Sequence, residues 1–174
     1  EASPTQRLVG GFGGSTIGTI FAVWGAIFVA GTIGWAFLAA HWPRRRVLTL
    51  SLLGMLGVVG TLAAFNHGAP AAVLVAATAF VLVECGFTPA ALAQLADLTA
   101  GRDESRGAAM GLYSLLLGSG QLLGNLLGGP LAARWAMDGV LALTGAFALV
   151  ALACVRGMGI PDRAREASRD AAQG

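Results

Sequence analysis

Five apolar stretches, each long enough to cross a lipid bilayer, constrain the fold of this 174-residue chain more than any other feature. A membrane-spanning helix needs roughly 20 mainly apolar residues, and irregular backbone is not tolerated in lipid. The stretches are separated by short segments that carry charge, proline or glycine. The sequence therefore predicts an all-α, polytopic transmembrane bundle of about five helices, which run over about 17–40, 47–65, 71–96, 108–132 and 139–155.

Composition excludes several other classes of protein. The chain is 56% hydrophobic and only 11% charged, whereas about 25% of the residues of a soluble domain are charged. Its eleven basic residues are all arginine and are spread along the loops, so they form no patch for nucleic acid. Cys85 and Cys154 fall inside apolar runs, which indicates buried free thiols rather than a disulfide framework or a metal site.

The two ends of the chain are polar. Residues 1–16 are rich in glycine, but no lysine follows at the spacing of a phosphate-binding loop, so we predict a flexible extramembrane segment. Residues 157–174 have mixed charge and predict a polar tail. The chain has no initiator methionine and no signal peptide, and we expect that at least one preceding helix is missing.

The arginines predict the orientation in the membrane. Nine of the eleven lie in segments 41–46 and 97–107 or after residue 155, and only Arg7 and Arg134 lie on the other side. Loops rich in arginine stay in the cytoplasm by the positive-inside rule. We therefore expect a multi-pass protein of the cell membrane with a cytoplasmic carboxy-terminal tail.

The order of helices and loops resembles five of the six helices in one half of a Major Facilitator Superfamily (MFS) transporter. The loop motif of that family, G-x-L-A-D-R-x-G-R-R, can be laid without gaps on residues 36–45. The matching positions are Leu38, Ala39, Arg44 and Arg45, and the departures are Ala40 at the acidic position, His41 and Pro43. The resemblance implies a cytoplasmic loop motif at Arg44, Arg45 and Arg46, and its eroded form favours helices eight to twelve, in the carboxy-terminal half.

A second motif lies in the predicted helix 108–132. The sequence from Gly120 to Gly129 is similar to the G-x-x-x-G-P-x-x-G-G pattern in helix five of MFS antiporters, with Asn125 in place of the proline. Gly120, Gly124 and Gly128 share one helical face, which forms a groove for close helix packing. We expect this face, with Gly129, to serve either plain packing or conformational change.

Glu84 is the one charged residue well inside a predicted helix. A charge at the bilayer centre costs at least ~2.5 kcal/mol, so we expect Glu84 to contact substrate or couple protons, with Thr88 one turn further along. The alternative is a protonated carboxyl bonded to a neighbouring helix. Pro89 removes a backbone donor and frees the carbonyl of Cys85, which predicts a kink.

Other polar residues fall at two places. Ser114, Gln121 and Asn125 form a stripe beside the glycine face, where amides serve either interhelical packing or substrate recognition. Gln94 and Asp97 lie near the cytoplasmic end of the predicted helix 71–96. They either gate the inner mouth with Arg102 or Arg106 or are simply solvated.

The resemblance implies part of a secondary active transporter that moves a small solute by alternating access, driven by protons, together with missing amino-terminal helices. The alternative is a small membrane scaffold or accessory subunit that assembles through its glycine faces. Catalysis is not expected, because Ser119 has no histidine at matching depth to act as its base. No cofactor or metal site is expected either, because phosphate-binding loops and metal-ligand spacings are both missing from the sequence.

Overall fold

The computed structural model describes Leu8 and residues 14–39, 41–98 and 103–157. These residues are helical, with no strand among them, which confirms the predicted fold class. The helices are α1 Gly14–Leu38, α2 Arg44–Asn66, α3 Val73–Glu84, α4 Phe87–Leu98 and α5 Asp103–Gly157. Four segments of the described part are long and apolar enough to cross a membrane: Gly18–Leu38, Arg44–Asn66, Val73–Asp97 and Gly107–Gly157.

Several helix bounds differ from those expected. The predicted helix 71–96 is two helices, α3 and α4, and the predicted helices 108–132 and 139–155 both lie within α5. Arg44, Arg45 and Arg46 form the first turn of α2 rather than a loop, because Pro43 has the backbone angle that suits a position just before a helix. The predicted charged loop 97–107 is also shorter, since α4 reaches residue 98 and α5 begins at residue 103.

Glycines bring α2 unusually close to α3. A Cβ atom on Gly54 would lie 3.0 Å from both the Glu84 nitrogen and the Phe80 carbonyl oxygen, and one on Gly57 would lie 2.5 Å from the Phe80 ring. In lipid, where apolar surface alone does not drive helices together, such close packing supplies van der Waals attraction. Neighbouring pairs show that α2 runs antiparallel to α3 and α4: Gly57 with Phe80, Ser51 with Gly86, and Arg44 with Asp97.

The long helix α5 is interrupted at Ala136, whose φ of 51° and ψ of −132° are not helical. The chain reverses here and brings Gly139 back against Leu131, eight positions earlier. A Cβ on Gly139 would collide with the Leu131 carbonyl. Segment 137–157 then packs antiparallel to α2: Asn66 bonds Asp138 at one end, and Arg45 bonds the carbonyl of Arg156 at the other. Segments 103–135 and 137–157 are each long enough to cross a bilayer.

A polar cluster closes one end of this α2–α5 pair. The Asn66 side chain is fully buried, and its Nδ2 donates to Asp138 Oδ1 at 2.8 Å. His67 Nε2 lies 3.2 Å from the same carboxylate oxygen, and the backbone nitrogen of Leu8 donates to Asn66 Oδ1 at 3.1 Å. This cluster, Asn66, His67 and Asp138, is called the Asn66 end below.

The apolar surface of the chain is largely exposed, as expected for helices that face lipid or other helices. Large side chains stand outward along α1 and along segment 103–135, among them Phe21, Phe37, Leu115, Leu122 and Leu126, each more than 60% exposed. The tightest core instead lies where α2, α4 and the end of α5 meet, around Val47, Leu48, Leu52, Ala90 and Leu152.

The close approach of α2 to α3 can be tested at glycine positions. We expect Gly54→Val to lower the free energy of unfolding by about 1–3 kcal/mol, because the new side chain would meet α3 backbone atoms that cannot move aside. Gly60→Val is the matched control on the same helix, since nothing lies within 4 Å of its Cβ position. Thermal unfolding in detergent measures both, and equal losses would contradict the close packing.

The reversal at Ala136 gives a second prediction. Ala136→Gly should raise the free energy of unfolding by about 1 kcal/mol, because glycine adopts a positive φ without a clash at Cβ. Ala133→Gly, in the adjoining helical turn, should lower it by about 0.5–1 kcal/mol. A loss of stability in the Ala136 variant, measured by thermal unfolding, would show that this residue is helical.

Candidate functional site

The candidate site is built around the interruption between α3 and α4. The ladder of helical hydrogen bonds fails at Gly86, whose nitrogen bonds the carbonyl of Val83 at 3.4 Å in a tighter turn, and again at Pro89, which has no N–H to donate to the Cys85 carbonyl. The interruption lies near the middle of the apolar segment Val73–Asp97. An interrupted helix at this depth is tolerated only where protein or a water-filled cavity surrounds it, because lipid satisfies no backbone group. We call residues 84–88 the helix break.

The side chain of Trp35 compensates for part of this lost hydrogen bonding. The carbonyl of Leu82 would accept from Gly86 N in a continuous helix, but here it accepts from Trp35 Nε1 at 2.7 Å. The indole also lies against the break, since a Cβ on Gly86 would meet Trp35 Cδ2 at 2.9 Å. The Trp42 ring packs edge-on against Trp35, with centroids 6.2 Å apart. Helix α1 is thereby fixed to the break.

Glu84 is the last residue of α3 and is half-buried. Its backbone nitrogen lies close to Gly54 of α2. Within the described part of the chain, its carboxyl group has no hydrogen bond or ion pair. It also lies at the carboxyl end of a helix, where the helix dipole disfavours a negative charge. An ionised Glu84 therefore lacks compensation from the neighbouring described residues.

Thr88 and Pro89 lie in the first turn of α4 rather than midway along a continuous helix. Glu84 and Thr88 consequently do not share one uninterrupted helical face, as the spacing of four had suggested. Pro89 is well placed in a first turn, where a backbone N–H has no helical partner to lose. The carbonyl of Cys85, four residues before Pro89, receives no helical bond.

Ser51 is a polar residue at the break that the sequence did not single out. It is 1% exposed, and its Oγ has no hydrogen-bond partner among the described residues. A Cβ on Gly86 would meet this oxygen at 2.9 Å. Small residues recur every three positions from Ser51 through Gly54 and Gly57 to Gly60. That spacing indicates a closely packed helix face and is the signal that would have identified Ser51.

The structure does not bring Gln121 and Asn125 to the helix break. Both are exposed on segment 103–135, as are Ser114 and Ser119. The glycine face beside them is open, since nothing lies within 4 Å of the Cβ positions of Gly120, Gly124, Gly128 and Gly129. The expected groove therefore has the right spacing, but no helix of the described residues occupies it.

Charged residues join the helices at the end opposite Asn66. Arg44 Nη1 donates to the Ala39 carbonyl at 2.6 Å, and its Nε lies 3.7 Å from Asp97 Oδ2. Arg45 Nη2 donates to the Arg156 carbonyl at 2.9 Å. Asp97 thus pairs with Arg44. The expected partner Arg102 and the side chain of Arg106 lie outside the described residues, so the predicted gating contact stays a prediction. We call this set the arginine end.

Trp35→Phe tests the indole's role in supporting the break. The variant should lower the free energy of unfolding by about 1–3 kcal/mol, because it leaves the Leu82 carbonyl without a donor in the middle of an apolar membrane segment, where water cannot replace the indole. Trp24→Phe is the matched control on α1, since its indole donates no hydrogen bond among the described residues. Thermal unfolding in detergent compares the two variants, and an equal effect would show that the Trp35 hydrogen bond contributes nothing.

Comparison with known proteins agrees with this architecture. The family model described as Major Facilitator Superfamily matches residues 5–174, nearly the whole chain. No curated protein and no solved structure matches the chain. The family consists of membrane transporters and not enzymes, and the apolar helices are those of a multi-pass membrane protein. The chain belongs to the Major Facilitator Superfamily, as its loop and glycine motifs predicted.

Proposed function

We propose that this chain is part of a secondary active transporter that couples movement of a small solute to protons through Glu84. Its family supports transport by alternating access, in which packed groups of helices rock about a site near the bilayer midplane. The observation that carries the proton coupling is the position of Glu84: a half-buried carboxyl group at the helix break, without a partner among the described residues.

The surroundings of Glu84 favour reversible protonation. A carboxylate that lacks a cation, and that sits at the negative end of a helix, is costly in the membrane. A neutral carboxylic acid at the same place is far less costly, so a proton that arrives from one side stabilises the group while it crosses the low-dielectric region. Loss of the proton to the other side then restores the charge. Thr88 at the break is the proposed second polar contact.

The open surfaces support the proposal that further helices complete the transporter. Gln121 and Asn125 lie beside an uncovered glycine face on segment 103–135, and amides in lipid find partners on other helices. We propose that amino-terminal helices of the same transporter cover this face and form the other wall of the solute cavity. Gly120, Gly124, Gly128 and Gly129 would then allow sliding during the change of state.

The arginine end is proposed to face the cytoplasm of a cell membrane. Segment 41–46, Asp97 near the end of α4 and Arg156 near the end of α5 all meet at this end. Cytoplasmic loops hold an excess of arginine and lysine, so the carboxy-terminal tail is proposed to be cytoplasmic too. Protease access to residues after 157 in sealed vesicles tests this orientation, since cleavage only from the cytoplasmic side is expected.

A second candidate function rests on the same open glycine face. A scaffold or accessory subunit would use that face to bind a separate membrane protein rather than further helices of its own chain. Reading the coding sequence upstream of Glu1 distinguishes the two: about seven further membrane helices in frame support the transporter, whereas a start codon directly before Glu1 supports the accessory subunit.

Glu84→Gln is the test of proton coupling. The variant in the full-length transporter should lose pH-gradient-driven uptake across a panel of radiolabelled solutes while its expression and folding stay nearly unchanged, because glutamine keeps the shape and cannot ionise. Asp97→Asn, in the same apolar segment but at the arginine end, is the matched control and should retain coupled uptake. Normal gradient-driven uptake by the Glu84 variant would show that this residue does not couple protons to transport.

A further inference from the structure

We propose that the helix break is a binding site for a small monovalent metal cation of the sodium class, held by oxygens of Ser51, Cys85 and Thr88. The inference deepens the proposed function and rests on it in one respect. Glu84 is the proton-coupling group in the proposed function, and it supplies the negative charge for the cation here. It adds a metal ion that competes with the proton for that charge.

The first support is a set of backbone carbonyls that have left the helical ladder. The Cys85 carbonyl has lost its usual donor, because Pro89 has no N–H. The Leu82 carbonyl has also left the ladder and is satisfied by Trp35 instead. Carbonyls freed at interrupted membrane helices are the groups that coordinate sodium in transporters.

The hydroxyl of Ser51 is the second and independent support. Hydroxyls elsewhere in these helices satisfy themselves by donating to a carbonyl three or four residues earlier, as in Thr19, Thr32, Thr61, Thr78, Ser119 and Thr144. The Ser51 hydroxyl is more buried than these and has no partner in the described structure, although it points at Gly86 of the break. A buried hydroxyl without a partner costs roughly 1–3 kcal/mol, and a bound ion is one of the few groups that remove this cost.

Charge decides which cation suits these oxygens. Glu84 is the one acidic residue between positions 73 and 96, and the described residues include no group of three or more histidine, cysteine, aspartate or glutamate side chains that could hold a metal. Divalent cations in proteins usually draw on more than one carboxylate or on nitrogen and sulfur ligands. A single carboxylate with carbonyl and hydroxyl oxygens balances one positive charge and matches a hard monovalent ion.

Direct binding of ²²Na⁺ to the purified full chain in detergent tests the site without any need for transport. We expect saturable binding that unlabelled Na⁺ displaces and choline does not. Ser51→Ala should weaken binding by about tenfold or more. Thr61→Val is the matched control on α2, because the Thr61 hydroxyl already donates to carbonyls of its own helix, and it should bind like the wild type.

Each outcome decides the inference. Wild-type protein that binds no displaceable ²²Na⁺ overturns it, as does a Ser51→Ala variant that binds like the wild type. Should Ser51→Ala fail to fold, Thr88→Val takes its place. Sodium binding by that variant at the wild-type level would also overturn the inference. If Glu84→Gln abolishes coupled uptake but the wild-type protein binds no sodium, the sodium site is overturned and the proton coupling stands. Sodium binding alongside normal uptake by Glu84→Gln overturns the proton coupling instead.

Discussion

The demand that every backbone polar group in lipid find a partner governs this structure. Continuous helices meet the demand by themselves, but the interruption between α3 and α4 does not, and it lies near the middle of an apolar segment. The molecule meets it with tertiary contacts: Trp35 of α1 bonds the freed Leu82 carbonyl, and Ser51 and Gly54 of α2 pack against the backbone around the break. Helices α1 and α2 are therefore held to α3 and α4 at the interruption.

The two ends of the bundle are fixed by a different kind of contact. Hydrogen bonds and ion pairs join α2 to α4 and α5 at the arginine end, and the buried Asn66 joins α2 to Asp138 at the other. Both sets lie at the ends of α2, and a charge near the end of a membrane helix costs less than a charge at mid-depth. The middle of α2 contains small residues, which permit its close packing against α3.

Segment 103–135 has the opposite character, since its glycines and amides face no other helix of the described structure. Its motif resembles one found in antiporters, and the chain as a whole matches the transporter family. An uncovered face of small residues on a long apolar helix is typical of a surface that packs against other helices. The proposed half-site around Glu84 is organised within this chain, whereas the proposed half that contains Gln121 and Asn125 depends on what covers this face.

The sequence by itself determined the all-helical membrane class, the family and the position of the one mid-membrane carboxylate, because apolar run length and the cost of buried charge act locally along the chain. Pro89 also predicted a kink with a freed carbonyl at Cys85, and the helix is interrupted there. Tertiary structure decided that Arg44 pairs with Asp97 and that Ser51 lies buried at the break. Which groups would compensate depends on contacts between residues about fifty positions apart, such as Trp35 with Leu82, and local periodicity carries no information about such contacts.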